Sequence, residues 1–313
     1  MRELRIIGKS PTIRKIREFI KKSAPSNSNV LILGETGVGK ELVARSIHNA
    51  SERNTEPFIK LNCACLNESL LESELFGHKK GAFTGALIDK QGLIESAAGG
   101  TVFLDEIGDM SPYIQGKLLS VVEDKEIRRI GENNLRTVKA RFIFATNNDL
   151  YSQVKRKKFR EDLYYRINIL SIHIAPLRAR KEDIPLLVEL IQARENQRKS
   201  IVPDITQEAM NKISEHSYPG NVRELENILK RAYALSESKL ITAEDIVFDH
   251  SEYSEATRMR RNRYSMASIV EALVECKGNK SEAATQLGMS RVHLYRLLNS
   301  KEEKVSINAL KNR

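Results

Sequence analysis

Hydrophobic positions along the chain fall into three regimes. Up to about residue 175, short aliphatic runs alternate with amphipathic stretches. Val30-Leu31-Ile32-Leu33 reads as a buried strand, Phe58 to Asn62 as an alternating one, and Thr101 to Leu104, Arg141 to Asn147 and Ile172 to Pro176 as further strands. Between them, Ile13, Ile16 and Ile20 recur at helical spacing, Leu42 to Asn49 reads as a helix, and Leu118, Leu119 and Val122 mark another over Gln115 to Glu123. Strands alternating with helices predict an α/β fold on a parallel sheet. From Ile184 the pattern turns helical, over about 184–198, 206–216 and 221–236, punctuated by Pro203 and Pro219-Gly220, with Asn221 expected at an N-cap. Asp249 to Arg263 has little apolar content and reads as a linker. Three short helices follow, marked by Ile269, Leu273 and Val274, then Ala283, Ala284 and Leu287, then Leu294, Leu297 and Leu298. The expected division is an α/β domain over 1–175, a helical lid over 176–248, a linker over 249–263 and an all-α domain over 264–313.

The first strand breaks into Gly34-Glu35-Thr36-Gly37-Val38-Gly39-Lys40-Glu41 and then a helix. Strand, glycine-rich loop and helix together are the context of a phosphate-binding loop. Its glycines let successive amides wrap a polyphosphate, Lys40 adds a point charge, and the helix N-terminus favours an anion. Glu41 stands where Ser or Thr usually offers a hydroxyl to magnesium. About 65 residues after Lys40, the strand of Val102 to Leu104 ends in Asp105 and Glu106. In phosphate-loop enzymes the first such acid holds Mg2+ and the second can polarise the attacking water. Asn147, at the tip of the next strand, is placed to touch a terminal phosphate, although strand-end caps look the same. Asn62 reads as a plain cap, and Arg160 and Arg166 as exposed helical arginines. Gly81-Ala82-Phe83-Thr84-Gly85-Ala86 is too small-residued to pack a core; its composition suits a mobile loop or an ordinary turn showing one ring.

At the far end, Gly288 makes a turn and Ser290 caps the last helix. This is a helix-turn-helix pattern, with Ser290, Arg291, Val292, His293, Tyr295 and Arg296 off the apolar stripe and available to a DNA major groove. Residues 249–313 hold 12 Lys/Arg and 8 Asp/Glu, a net +4, which permits DNA binding without requiring it.

Composition narrows the class only modestly. The 313 residues are 41% hydrophobic and 29% charged, and the net charge of +10 suits a polyanionic partner. No run approaches the ~18 apolar residues of a membrane span, and no secretory leader opens the chain. Three cysteines make no disulfide framework, so a reducing cytoplasm is expected, with Cys63 and Cys65 as buried free thiols rather than metal ligands.

Taken together, these motifs resemble the AAA+ activators of sigma-54 RNA polymerase, the bacterial enhancer-binding proteins of the NtrC family, over nearly the whole chain. The phosphate loop is similar to the family's own, in which Glu replaces Ser/Thr, and the hexapeptide at 81–86 is its most specific signature. The segment from Ile6 to about Phe248 resembles the AAA+ core and lid, and the end resembles a Fis-type helix-turn-helix. With few residues ahead of the core, the chain resembles the stand-alone subtype typified by phage shock protein F.

The resemblance implies roles residue by residue. Phe83 and Thr84 would tip a loop that engages sigma-54, with Asn62 restraining Glu106 until engagement. Asn147 would be the first sensor and Arg223 the second, and Ile7 and Gly8 would border the nucleotide with the phosphate loop. Arg160 and Arg166 would be arginine fingers reaching a neighbour's nucleotide, which implies a ring, a hexamer, with a dimer on DNA. ATP and Mg2+ are the implied cofactors; sigma-54 RNA polymerase holoenzyme and enhancer DNA are the implied partners. The implied activity is ATP hydrolysis coupled to conversion of closed promoter complexes into open ones. A repressor with a vestigial ATPase is argued against by intact Lys40, Asp105, Glu106, Arg160 and Arg166. An AAA+ remodeller of other clients is argued against by the hexapeptide and the helix-turn-helix.

Overall fold

The computed structural model describes residues 6–196, 203–236, 240–248, 272–276, 278–287 and 294. Helix α1 (Pro11–Ser23) starts where the Ser10 hydroxyl accepts the Ile13 amide and Pro11 fills the first turn. Then come β1 (Val30–Leu33), α2 (Lys40–Asn49), β2 (Phe58–Asn62) and α3 (Glu68–Phe76). The short strands β3 (Gly77–His78) and β4 (Lys90–Gln91) pair antiparallel, followed by α4 (Leu93–Ser96), β5 (Thr101–Asp105) and α5 (Pro112–Asp124). A second two-residue ladder joins β6 (Glu126–Ile127) to β7 (Arg136–Thr137), ahead of β8 (Arg141–Thr146), α6 (Leu150–Lys155), α7 (Glu161–Ile167) and β9 (Leu170–His173).

The main sheet runs β2-β5-β8-β1-β9 with every pair parallel. Side chains alternate across it, so both faces must be covered. Val30 and Ile32 join Ile13, Ile16, Val43 and Ile47 on one face, whereas Leu31 joins Leu104, Phe142, Ile114 and Leu118 on the other. The last strand lies two residues earlier than its apolar run suggested. Val30 to Leu33 register with Leu170 to His173, and Ile174 ends the pairing with its amide donating to the Leu33 carbonyl at 2.8 Å while its side chain is buried in the core.

The helical region comprises α8 (Ile184–Asn196), α9 (Gln207–Glu215) and α10 (Asn221–Leu235), with β10 (Asp204–Ile205) pairing parallel to β11 (Leu240–Ile241). Asn221 is not the N-cap of α10. Gly220 occupies that position, and Asn221 sits inside with a left-handed φ of 55°, fully buried. Contacts divide the chain into two compact units, Met1–Ile246 and Val247–Arg313. In the second, a helix over Lys280–Gln286 is capped by Asn279, and Ala272, Ala283, Ala284, Leu287 and Leu294 are buried together. Val274, one of the residues that mark the first helix of this domain, is 71% exposed. The linker at 249–263 and Ser290, Arg291, Val292, His293, Tyr295 and Arg296 lie outside the described residues. Among the described residues no helix is long and apolar enough to cross a membrane.

Candidate functional site

At the carboxyl edge of β1 the chain turns through Gly34 to Gly39 into α2. Gly37 (φ 82°) and Gly39 (φ 106°) are left-handed, a conformation a side chain would strain, which explains glycine at both. Lys40 is buried; its Nζ donates to the Gly34 carbonyl at 2.9 Å and lies 3.3 Å from Glu106 Oε1.

The two acids close β5. Asp105 Oδ1 accepts the Glu106 amide at 3.0 Å, and burial pushes its pKa up against the opposing pull of Lys40. Glu106 adopts a left-handed backbone (φ 55°), uncommon for a non-glycine residue and typical of strained functional positions. Its Oε2 accepts the Asn147 amide at 3.0 Å, while Asn147 Nδ2 donates to Thr36 Oγ1 at 3.1 Å. Phosphate loop, acid pair and first-sensor candidate are therefore one hydrogen-bonded set.

Asn62 is not part of that set. It is the register partner of Asp105 on the neighbouring strand, but its Oδ1 accepts the Ala64 amide. Arg160 and Arg166 are exposed at the two ends of α7; the Arg160 guanidinium grips Asp162 at 2.7 and 3.0 Å. From the lid, Arg223 adjoins the loop: a Cβ added at Gly37 would sit 3.2 Å from its Cβ. Ile7 is half-buried and Gly8 buried, the latter packed so tightly against Asp183 that a Cβ there would lie 2.8 Å from the carboxylate. Asp183 also accepts the Lys9 and Ser10 amides at 2.7 and 2.9 Å.

The donor set suits Mg2+ held chiefly by a nucleotide. Asp105 supplies a half-buried hard oxygen, and no cluster of three or more His, Cys, Asp or Glu among the described residues could hold a metal alone. Mg2+ commonly takes one or two carboxylates and draws the rest from phosphate and water. Glu41 is engaged elsewhere, 3.1 Å from Arg45 and 3.2 Å from Lys60. Cys63 is a buried free thiol as expected, but Cys65 is exposed, because it ends a surface 3-10 turn.

The hexapeptide is more organised than its composition suggested. It caps the β3/β4 ladder, with Gly81 N–H donating to Ala86 O at 2.9 Å and Ala86 N–H to Phe83 O at 3.0 Å. The Phe83 ring rests edge-on against His78 at 4.9 Å and remains 44% exposed. The loop between β6 and β7 braces it: Lys79 N–H donates to Ile130 O, and a Cβ at Gly131 would lie 2.8 Å from that of Ala82. Gly81, Thr84 and Gly85 are exposed, Ala82 half-buried and Ala86 buried. Sequence reasoning missed His78 and the bracing loop, since two-residue strands show no periodicity. It also missed Arg178, which forks onto Glu35 at 2.5 and 2.8 Å.

Comparison with known proteins matches residues 6–173 to the sigma-54 interaction domain, 178–263 to the AAA+ ATPase lid domain and 266–299 to the Fis family of bacterial regulatory proteins. The chain is 50% identical over 237 residues to the Nif-specific regulatory protein of Azotobacter vinelandii, covering 76% of this chain and 45% of that protein. It is 43% identical over 292 residues to the transcriptional regulatory protein ZraR of Escherichia coli K12, covering 91% of this chain and 66% of that one. It thus spans between about half and two thirds of these relatives' length. Among solved structures, NtrX from Brucella abortus in complex with ADP is similar with a TM-score of 0.72 at 33% identity, covering 95% of this chain and 68% of that one. With more than half its residues matching the sigma-54 interaction domain and the lid and Fis-type segments in the same order, the chain belongs to the NtrC family of sigma-54-dependent transcriptional activators.

Proposed function

We propose that this chain binds ATP in the site between phosphate loop, acid pair and lid, hydrolyses it, and uses the cycle to open sigma-54 promoter complexes. The observation that carries the reading is the hydrogen-bonded chain from Lys40 through Glu106 to Asn147 and back to Thr36. Every group in it would have to exchange partners when a γ-phosphate arrives, so phosphate occupancy would be felt at the end of β5. A crystal structure of NtrX, a similar protein, contains ATP.

In this scheme Lys40 and the loop amides bind the phosphates, and Ile7, Gly8 and Arg223 border the nucleotide. Asp105 would hold Mg2+, which shields phosphate charge when bound. Glu106 orients and deprotonates the attacking water once its contact with Lys40 is given up, and Asn147 reads the terminal phosphate. Asn62 restrains Glu106 in another state of the cycle. Arg160 and Arg166, which reach no phosphate-loop group of their own chain among the described residues, act on a neighbour's nucleotide, so hydrolysis waits on a ring, a hexamer by family resemblance. The Phe83–Thr84 tip, on its braced ladder, engages sigma-54. Ser290, Arg291, Val292, His293, Tyr295 and Arg296 read enhancer DNA as a dimer, which concentrates subunits for assembly in the cytoplasm.

The test is sigma-54 capture. Purified sigma-54 should associate with this chain when ADP, Mg2+ and a metal fluoride that mimics the transferring γ-phosphoryl group are present, and should not associate with ADP alone. Equal association in both states would remove the nucleotide-switched reading.

A further inference from the structure

Three consecutive carbonyls of the phosphate loop are held from one side by the lid. Asn221 Nδ2 donates to Thr36 O at 3.1 Å, Val222 N–H to Gly37 O at 3.1 Å, and Arg180 Nη2 to Val38 O at 3.1 Å. All peptide bonds here are trans, and in a planar trans peptide the carbonyl of one residue opposes the N–H of the next. Holding those three carbonyls toward the lid therefore turns the amides of Gly37, Val38 and Gly39 away from it. Those are the amides that a phosphate nest requires.

Asn221 is the centre of this arrangement. Besides Thr36 O, its Nδ2 donates to Glu35 Oε2 at 3.1 Å, and its Oδ1 accepts the Leu177 amide at 2.8 Å. One fully buried side chain thus joins the loop, the start of the lid and α10. The contact leaves no slack: a Cβ at Gly37 would lie 2.3 Å from Gly220 O. Arg180, 4% exposed, holds the Val38 carbonyl through a separate contact.

We propose that Asn221 and Arg180 are positioning residues for nucleotide binding: the lid aims the phosphate-loop amides, so the anion nest exists only while the lid is docked. This rests on the proposed ATP site and deepens it. Nucleotide affinity and lid docking become one equilibrium, and a movement of the lid by even one hydrogen bond would loosen the grip on the phosphates.

The test uses the full chain with Asn221→Gly, which keeps the left-handed backbone and deletes only the side chain, and independently Arg180→Met, which removes the Val38 donor. Kd for ATP, ADP and pyrophosphate is measured by calorimetry below the melting temperature. Losing one oriented buried donor should weaken all three ligands by about tenfold to a hundredfold, since the nest meets phosphates common to each. A purely structural role would lower Tm and leave the Kd of the folded protein alone. Kd values within twofold of wild type in both variants would overturn the proposal. If Asn221→Gly fails to fold, Arg180→Met carries the same test at a separate contact. A wild-type chain that binds none of the three would sink the ATP-site reading, a result distinct from a wild type that binds and variants that bind equally well.

Discussion

Lys40 Nζ lies 3.3 Å from Glu106 Oε1, so the residue expected to bind phosphate and the residue expected to activate water neutralise each other. Both side chains are mostly buried, 5% and 12% exposed, so neither can be removed without leaving a partly desolvated charge. An incoming phosphate offers Lys40 a better partner and frees Glu106. Replacing Glu106 with Gln keeps the shape and one of its two acceptor contacts, to Lys40 or to the Asn147 amide, but removes the charge and the basicity. Hydrolysis should fall by ~10²–10⁴ while ATP binding is retained. Single-turnover rates and Kd measured on the same preparation check this; an unchanged rate would remove Glu106 from the chemistry.

Arg160 and Arg166 make a prediction about assembly. Each changed to Ala should cost ~10³–10⁵ in hydrolysis rate with the fold intact, since both are exposed. Mixing Arg166→Ala chains with Lys40→Ala chains should restore part of the activity, because an intact arginine then meets an intact phosphate loop. No recovery at any mixing ratio would place the arginines in cis or outside catalysis.

Phe83 packs edge-on against His78 and is 44% exposed, so its loss should cost little stability. Phe83→Ala should leave ATP hydrolysis within about twofold, the size of change expected where no contact to the site is lost, and should abolish activation. Retained activation would break the assignment of the loop tip.

Glu35 gives the pH dependence. Hydrogen bonds from Arg178 and then Asn221 hold its carboxyl at about 2, below the ordinary 4.5. A depressed carboxylate stabilises the fold fully above the unfolded value, and that contribution is lost as pH falls from 4.5 toward 2. Glu35→Gln should therefore flatten the stability profile in that window and leave its shape near neutrality alone. Chemical denaturation at a series of acidic pH values reads this directly. A variant as acid-sensitive as wild type would show that the Arg178 fork contributes nothing in solution.

What could be read from sequence was whatever chemistry sits on contiguous residues. The phosphate loop was legible because its glycines, lysine and flanking strand fall within a dozen positions, and Asp105-Glu106 because an apolar run leads into them. Asn221 was misread as a cap because nothing local distinguishes a capping Asn from a left-handed one; its partners, Glu35 and Thr36, are 186 and 185 residues away. The bracing of the hexapeptide was hidden for a related reason. Its ladders are two residues long, and the packing of Gly131 on Ala82 is a tertiary fact. The shift of β9 came from register: Ile172 and Ile174 look alike in sequence, but Ile172 has a register partner on β1, whereas Ile174 only closes the ladder through its amide bond to the Leu33 carbonyl.

The central claim, that ATP hydrolysis here drives promoter opening, is tested most directly by open-complex formation. Purified sigma-54 RNA polymerase, a sigma-54 promoter, this chain and ATP are combined, and heparin-resistant complexes are counted. The account predicts complexes that form with ATP and vanish when a non-hydrolysable analogue replaces it. Hydrolysis without any heparin-resistant complex would contradict the account and point to a different client for the loop at 81–86.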